Sequence, residues 1–397
     1  MSGQFYDVIV VGAGPSGSYT AYELASLGHK VAVFEEKSAS GLNVCCTGII
    51  STDCFHSLGI GTDAILNQVN SARFFSPSGK YLRVQAKNVQ AYVVNRLSLD
   101  RSLASKAQSV GAQYFFSSPV IDIISGKDSI QAETLCCGTR EVFDARVVVL
   151  ANGFRPKLPQ KLSLGEIKSC LVGAQAEIET KDVAELEVYF GQETAPGGFA
   201  WVVPISTNGA YVGLLAASQA RLYLQKFLDD LVCQGRIGSR EVEIGQKAVP
   251  LGTLVRSYGD RVLVIGDAVG HVKPTTGGGI YFGHLGARMA AGVLDGALNS
   301  DRLTAGHLSL YQKQWKSKMG GELSRGYWAR WAYAKLSDRQ IEGVFNMFNS
   351  DGTAEALVNT GKFSFDWHSD LIMTGLKRSS VYPLLKIKHL FSHEVSA

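Results

Sequence analysis

The chain has 397 residues, of which 46% are hydrophobic and 19% charged, with a formal net charge of +4. That length reaches a large buried core and suggests two or three domains, and the composition is that of an ordinary globular protein rather than a disordered or fibrous one. The mild charge, with no basic run and no zinc-knuckle spacing, argues against a nucleic-acid partner.

The first element is "YDVIVVGAGPSGSYTAYELASLGHKVAVFEEKS", residues 6–38. Val8 to Val11 is a continuous β-branched run, which predicts a buried parallel strand. Gly12, Gly14 and Gly17 follow as G-x-G-x-x-G, and Tyr19, Tyr22, Leu24 and Leu27 suit a helix packed on a sheet. Gly28 ends that helix, and "KVAVFEE" is the next strand. This is the context in which the motif binds a dinucleotide. Gly12 permits the tight turn, Gly14 lets the backbone approach a pyrophosphate, and Gly17 lets helix and strand pack closely. The helix N-terminus offers its free N–H groups to the phosphate. Glu35 stands 23 positions after Gly12, close to the ~20-residue spacing of a ribose-binding acid. Glu36 is adjacent, but Glu35 better fits the strand end. A carboxylate there favours FAD or NAD over NADP.

Further along, residues 71–96 alternate and turn at Pro77-Ser78-Gly79, which predicts a hairpin. Residues 97–155 return to the nucleotide domain and end at "ARVVVLANG". Residues 160–257 read as mostly antiparallel strands, "LEVYFG", "GFAWVVPI", "GAYVGLLA" and "EIGQKAVPL", expected to cover a flavin. Val262–Ile265 is then a strand running into Gly266-Asp267, and Gly277-Gly278-Gly279 opens a second helix with Ile280, Leu285 and Met289 at helical spacing. An acid at a strand's carboxyl end can hydrogen-bond a ribityl hydroxyl, and the helix N–H groups can face the flavin edge that becomes negative on reduction. One loop therefore holds the pyrophosphate and the other the far end of the same FAD.

From about residue 301 helix formers dominate, with Trp315, Trp328, Trp331 and Trp367, and six Lys/Arg against one acid between Leu310 and Lys335. The end, "YPLLKIKHLFSHE", sets Leu384, Ile387 and Phe391 among lysines. Aromatic, basic helices suit a membrane interface; an ordinary capping subdomain with an aromatic core fits equally. The expected fold is a Rossmann-like α/β FAD-binding domain (1–65, 97–155 and 258–300), interrupted by a mostly antiparallel, α+β substrate domain (66–96 and 156–257). A C-terminal helical segment (301–397) completes it.

Seven cysteines occur, an odd number with two adjacent pairs, and no signal peptide precedes them. Free thiols in a reducing cytoplasmic compartment are expected, with peripheral attachment at the membrane's inner face if the tail is interfacial. There is no CxxC pair, and His389 and His393 share a helical spacing without a second cluster, so no metal is expected. No GxSxG elbow appears, and no apolar run approaches the ~18 residues of a membrane span.

The pairing of "GAGPSG" with "GDAVGHVKPTTGGGIYFG" resembles the flavoprotein hydroxylase superfamily, and within it the geranylgeranyl reductase family, related to archaeal digeranylgeranylglycerophospholipid reductases. "NRLSLDRSLASKAQSVGA" is similar to the family's R-x-x-x-D-x-x-L-A segment, which implies that Arg96 contacts the flavin. "CCTGIIS" resembles its C-x-G-x-x-S loop and places Cys46 at the family cysteine. "PGGFAWVVP" resembles its P-x-x-Y-x-W-x-F-P lipid-pocket motif and implies substrate contacts from Phe199, Trp201 and Pro204. "LSDRQIEGVF" is similar to its C-terminal helical segment. The resemblance also sets Gly278, Gly279 and Ile280 against the cofactor. Phe199 and Val203 depart from the motif's tyrosine and phenylalanine, and Asn152 replaces the usual aspartate of an A-D-G turn. "FAWVVP" is also similar to the W-x-W-x-I-P stretch of flavin-dependent halogenases.

The resemblance implies reduction of isolated C=C bonds in an isoprenoid (geranylgeranyl) chain on a glycerol-ether lipid, a quinone or a chlorophyll-type carrier. No second G-x-G-x-x-G follows a strand, so electrons are expected from an external donor, NAD(P)H or a ferredoxin-like protein. Such reduction needs hydride at one alkene carbon and a proton at the other, in a dry aromatic pocket where π faces stabilise developing positive charge. Alternation puts Phe199 and Trp201 on one side of their strand. Cys46 is the candidate proton donor, with Cys45 an equally available thiol and Tyr281 a further candidate. The alternatives are a flavin monooxygenase or halogenase, the latter needing a lysine such as Lys80 or Lys273, and a non-redox flavin-dependent cyclase.

Overall fold

The structure, a computed structural model, describes residues 5–136, 138–181, 183–350 and 364–369. Its nucleotide-binding layer is a parallel sheet ordered Gln113–Phe115, Val31–Phe34, Phe5–Val11, Thr139–Leu150 and Val262–Val264. Val8, Ile9 and Val10 are wholly buried, as a central strand covered on both faces requires. The strand Thr139–Leu150 extends beyond this layer and pairs antiparallel with Ile130–Cys136, which pairs in turn with Val120–Ser125. Helix Pro15–Ser26 packs against helices Arg96–Ser109 and Ile280–Asn299 over one face of the sheet.

The second layer is a seven-stranded sheet ordered Gly245–Leu251, Ser169–Glu179, Gly209–Ala216, Phe199–Ser206, Leu186–Tyr189, Ser71–Phe75 and Tyr81–Gln85. Neighbours are antiparallel except Leu186–Tyr189 with Ser71–Phe75. Helix Ala220–Cys233 closes one face through Leu224, Phe227, Leu228 and Leu231, seated on Ala174, Ala176, Ala200, Val202, Val212 and Leu214. A three-stranded sheet (Ile49–Ser51, Ala91–Val94, Ile65–Val69) packs against Trp201, Val203 and Tyr211 of the opposite face.

The turn at Pro77–Gly79 forms as expected, with Gly79 at φ 83°, but the hairpin ends at Gln85. Ala91–Val94 leaves it for the small sheet because Ala91, Val93 and Val94 find full burial between two strands there. Strand Ser169–Glu179 and helix Ala220–Cys233 lie within the stretch expected to be strands and were not individually expected. The C-terminal part is helical over Ala305–Trp315, Gly321–Tyr333 and Asp338–Ser350, with a π-helical turn between the first two. Its tryptophans divide: Trp315 is core and donates to Ser257 Oγ at 2.9 Å, whereas Trp331 is exposed. His389, His393 and the "YPLLKIKHLFSHE" stretch lie outside the described residues. No helix among the described residues is long and apolar enough to cross a membrane.

Candidate active site where two glycine loops meet

Each glycine of the first loop has its own spatial reason. Gly12 adopts φ +105°, and a Cβ there would come within 2.5 Å of Ala151 O. A Cβ on Gly17 would come within 2.0 Å of Gly12 O, so the helix lies directly on the turn. At Gly14 a Cβ would meet nothing within 4 Å. Two of the glycines are thus filled by the fold, and the third faces open space at the N-terminus of a 12-residue helix with Pro15 at its start. Glu35 emerges from the next strand to accept the Ala13 N–H at 2.8 Å and the Lys37 N–H at 3.0 Å. Glu36 instead pairs with Arg155 at the surface, 2.5 Å away. The buried Asn152 Oδ1, beside Gly12, has no hydrogen-bond partner among the described residues. An open cradle at Gly14, a fixed carboxylate and an orphaned acceptor fit the pyrophosphate and ribose of a dinucleotide.

The second loop abuts the first. Cβ atoms on Gly266 and Gly283 would meet Ser16 Oγ at 2.8 and 2.4 Å, so the two helix starts share Ser16 as their contact. Gly266 has φ +64°, which turns the chain at the end of strand Val262–Val264 and presents Asp267. Asp267 Oδ1 lies where a Cβ on Gly279 would stand, 2.6 Å away. Gly279 is the N-cap of the helix that begins at Ile280. The Gly278 carbonyl accepts the Lys273 N–H at 3.0 Å, closing the turn. Gly12, Gly14, Asp267, Gly278, Gly279 and Ile280 therefore lie around one junction, with the buried Gly17 holding the first helix on its turn.

The face of the large sheet that carries Phe199 and Trp201 points at this surface. Register sets Lys247, Gly173, Leu215 and Phe199 in one cross-strand row, and Gly245, Gln175, Gly213 and Trp201 in the next. Opposed residues share a face. Glycines make room here: a Cβ on Gly213 of the second row would strike Trp201 Cζ2 at 2.6 Å, and one on Gly277 of the second glycine loop would strike Leu215 Cδ1 at 2.9 Å. Lys247 Nζ donates to Asp267 Oδ2 at 2.7 Å, tying sheet to cofactor loop. Thr47 Oγ1 donates to Gln175 at 2.7 Å, and Cys45 lies against Gly245, which holds the Cys45–Thr47 loop on the same face.

Arg96 opens its helix behind the Asn95 cap, which accepts the Ser98 N–H at 3.0 Å. Its Nη2 reaches both Asp100 oxygens at 3.0 Å, and the pair is almost fully buried. Burial works against charge on Arg96, but Asp100 outweighs it and raises the guanidinium above its ordinary value, with Cys46 adding to this once its proton is lost. Cys46 also acts on Lys247, so Cys46, Arg96, Lys247 and Asp267 form one electrostatic group. Burial would raise Asp267, yet Lys247 and Arg96 hold it below the usual carboxylate range. Burial and the neighbouring Cys46 push the Cys45 thiol up to about 11.

Four of the expected residues are arranged differently. Tyr281 packs its ring against Trp367 and Phe282, with Asp366, Cys54 and Asp53 around it rather than the Cys46 group. Burial raises its phenol. Pro204 has the opposite parity to Phe199 and Trp201 along its strand, and its carbonyl accepts from Asn67 Nδ2 at 2.9 Å. Neither lysine weighed for halogenation is free: Lys80 pairs at the surface with Glu342 (3.4 Å), and Lys273 is buried on Asp366 (2.9 Å). That Lys273 pair, with His368 on Thr275 (2.7 Å) and Glu322 accepting the His368 N–H (2.6 Å), straps residues 364–369 onto the second glycine loop. Lys247 and Gln175 were not foreseen; their only signal is the strand register that brings them opposite Gly173 and Gly213.

Fold and site together define the class: an FAD-dependent oxidoreductase. The pyridine nucleotide-disulphide oxidoreductase profile matches residues 6–187, and the geranylgeranyl reductase catalytic domain matches residues 166–249. The digeranylgeranylglycerophospholipid reductase of Methanocaldococcus jannaschii is 30% identical over 351 residues, covering 85% of this chain and 89% of that one. Digeranylgeranylglycerophospholipid reductase 2 of Methanothermobacter thermautotrophicus is 30% identical over 356 residues, covering 85% and 90%. The chain belongs to the geranylgeranyl reductase family. A geranylgeranyl bacteriochlorophyll reductase-like protein from Thermoplasma acidophilum shares the fold with a TM-score of 0.85 at 23% identity, over 98% of this chain and 99% of that one. A flavin-dependent brominase aligns at 0.69 and 19% identity, over 94% and 98%.

Proposed function

We propose that this enzyme saturates isolated C=C bonds of a geranylgeranyl chain carried on a lipid. The observation that carries the reading is the sheet face on which Phe199 and Trp201 (ring centroids 5.7 Å apart) look toward the junction of the two glycine loops. When bound, FAD supplies the electron pair that an alkene acceptor needs. Gly14 and the first helix start bind the pyrophosphate, Glu35 the ribose, and Asp267 the ribityl chain, with Lys247 holding the carboxylate in place. Gly278, Gly279 and Ile280 at the second helix start would hold the flavin ring, and Arg96, fixed by Asp100, would contact it. Phe199 and Trp201 exclude water and offer π faces to the alkene carbon where positive charge develops. Cys46 holds the proton at Sγ for the second alkene carbon. Electrons reach the enzyme from an external donor, a pyridine nucleotide or a small redox protein. The exposed end of helix Gly321–Tyr333, where Lys335 just beyond it sets Nζ 4.0 Å from the Trp331 ring centroid, serves peripheral contact with the membrane holding the lipid.

The test is anaerobic. Dithionite-reduced holoenzyme freed of excess reductant should regain oxidised flavin absorbance on adding a geranylgeranyl lipid, and not on adding its saturated analogue. Reoxidation by neither would overturn the assignment.

A further inference from the structure

Arg330 lies on the buried side of helix Gly321–Tyr333 with Leu323 and Gly326, only 6% exposed. Its Nε and Nη2 are buried and have no hydrogen-bond partner among the described residues, and Tyr333 is the one ionisable group that acts on it there. Its guanidinium carbon stands 5.7 Å from the ring centroids of both Phe199 and Tyr333. The rings continue from Tyr333 to Phe190 (6.1 Å), Phe199 (6.4 Å further) and Trp201. Trp201 Nε1, on the same face two residues along, is a third buried donor without an acceptor. The Tyr333 hydroxyl lies beside the Gly191 N–H, outside hydrogen-bond geometry.

An unpaired buried cation is among the most costly features a fold can retain. Burial brings the Arg330 guanidinium down to about 10, so it is still charged at neutral pH. Stacking on two rings recovers part of that cost but satisfies no N–H. Nε and Nη2 are the two nitrogens of one side-on fork, the edge that grips two oxygens of an oxyanion. Among the described residues no carboxylate acts on Arg330, although Asp338 acts on Tyr333 beside it, so the site supplies orphaned donors and a positive charge. It is complementary to an anionic, multiply accepting group at the end of an apolar chain.

We propose that Arg330 is a binding residue for the phosphate of the isoprenoid-bearing substrate, anchoring the charged end while the chain lies along Phe199 and Trp201. This rests on the reductase reading above. Two sources carry that chemistry, a prenyl phosphate and the phosphodiester of a glycerolipid.

The experiment measures binding to full-length holoenzyme by perturbation of the flavin absorbance. The probes are geranylgeranyl monophosphate, a geranylgeranyl glycerophospholipid and uncharged geranylgeraniol. Wild type should prefer at least one phosphate-bearing chain over the alcohol by roughly 10- to 150-fold, the worth of a charge-assisted hydrogen-bond pair. Which phosphate compound binds tighter identifies the source. Arg330→Met, checked for flavin content and melting, should bind all three alike. If Arg330→Met does not fold, Arg330→Lys keeps the charge and loses the fork, and its preference should fall at least several-fold. A preference absent in wild type, or undiminished in the substituted protein, overturns the proposal. Tight binding of geranylgeraniol without phosphate preference overturns the anion site and leaves the reductase reading standing. Inorganic phosphate that protects wild type but not Arg330→Met from phenylglyoxal, while no prenyl compound binds, overturns the reductase reading alone.

Discussion

Gly14 and Gly17 are three residues apart in one motif, yet substitution should break different things. Gly14 is the N-cap at φ −73°, ψ 179°, an extended conformation that valine adopts readily, and a Cβ there meets no protein atom within 4 Å. Losing glycine at an N-cap costs about 0.5–1 kcal/mol, and removing glycine's freedom from the unfolded chain returns about 0.4–1 kcal/mol. The apoprotein of Gly14→Val should therefore melt within about 1 kcal/mol of wild type. At Gly17 a Cβ would sit 2.0 Å from Gly12 O and 3.1 Å from the Ala151 Cβ. The nearest obstacle is backbone and cannot swing aside, so even Gly17→Ala should cost about 3 kcal/mol or more. Urea unfolding of the apoproteins measures the first quantity, and titration with FAD measures the second. Gly14→Val should be stable yet bind FAD at least about tenfold more weakly, a loss of about 1.4 kcal/mol. Wild-type FAD affinity in Gly14→Val would refute the cradle, and a native unfolding midpoint for Gly17→Ala would refute the close packing.

Burial holds the His271 imidazole down to about 3, from an ordinary 6.5. Between those values the unfolded chain takes up a proton that the folded one refuses, so this residue's share of stability is full above about 6.5 and falls as pH drops toward 3. His271→Leu should flatten that part of the unfolding midpoint–pH curve, and an unchanged slope would contradict it. Trp201→Ala should lower alkene turnover by at least about tenfold while FAD affinity, read by the same titration, stays within about twofold. Equal losses would mean Trp201 is only core. Cys46→Ser should slow alkene reduction while leaving chemical reduction of the flavin unchanged; intact turnover would remove the cysteine from the reaction and leave the rest standing.

The parts of this site that the sequence revealed are those built from contiguous chain. A dinucleotide turn needs glycine at Gly12, Gly14 and Gly17 because backbone passes over backbone, and that need is written at fixed spacing. Asp267 and the triple glycine follow the same logic. Lys247 has no such signature: its strand Gly245–Leu251 is legible, but it reaches Asp267 because that strand pairs with Ser169–Glu179, which has only Val172 and Ile178 as β-branched residues and is hard to recognise. Tyr281 shows the converse, since its place beside the triple glycine suggested chemistry, whereas helix Ile280–Asn299 turns its ring to Trp367. Arg330 sits in a basic, aromatic stretch that reads equally as a membrane interface or as a cap with an aromatic core. Only the Leu323, Gly326, Arg330 spacing, at i, i+3 and i+7, signals that it faces inward. Glu35 and Glu36 could be ranked in advance because alternation at a strand end turns one side chain toward the loop and the other to solvent.

The most direct test of the central claim is the mass of the product. Anaerobic holoenzyme, chemically reduced in deuterium oxide and given a geranylgeranyl lipid, should return it heavier by two deuterium atoms per saturated bond, one on each former alkene carbon, because the hydrogen that reduced flavin delivers also comes from solvent. If geranylgeranyl lipids, quinones and prenyl phosphates all come back unchanged, while the same reduced enzyme hydroxylates or halogenates an aromatic compound once oxygen is admitted, the reductase account is contradicted.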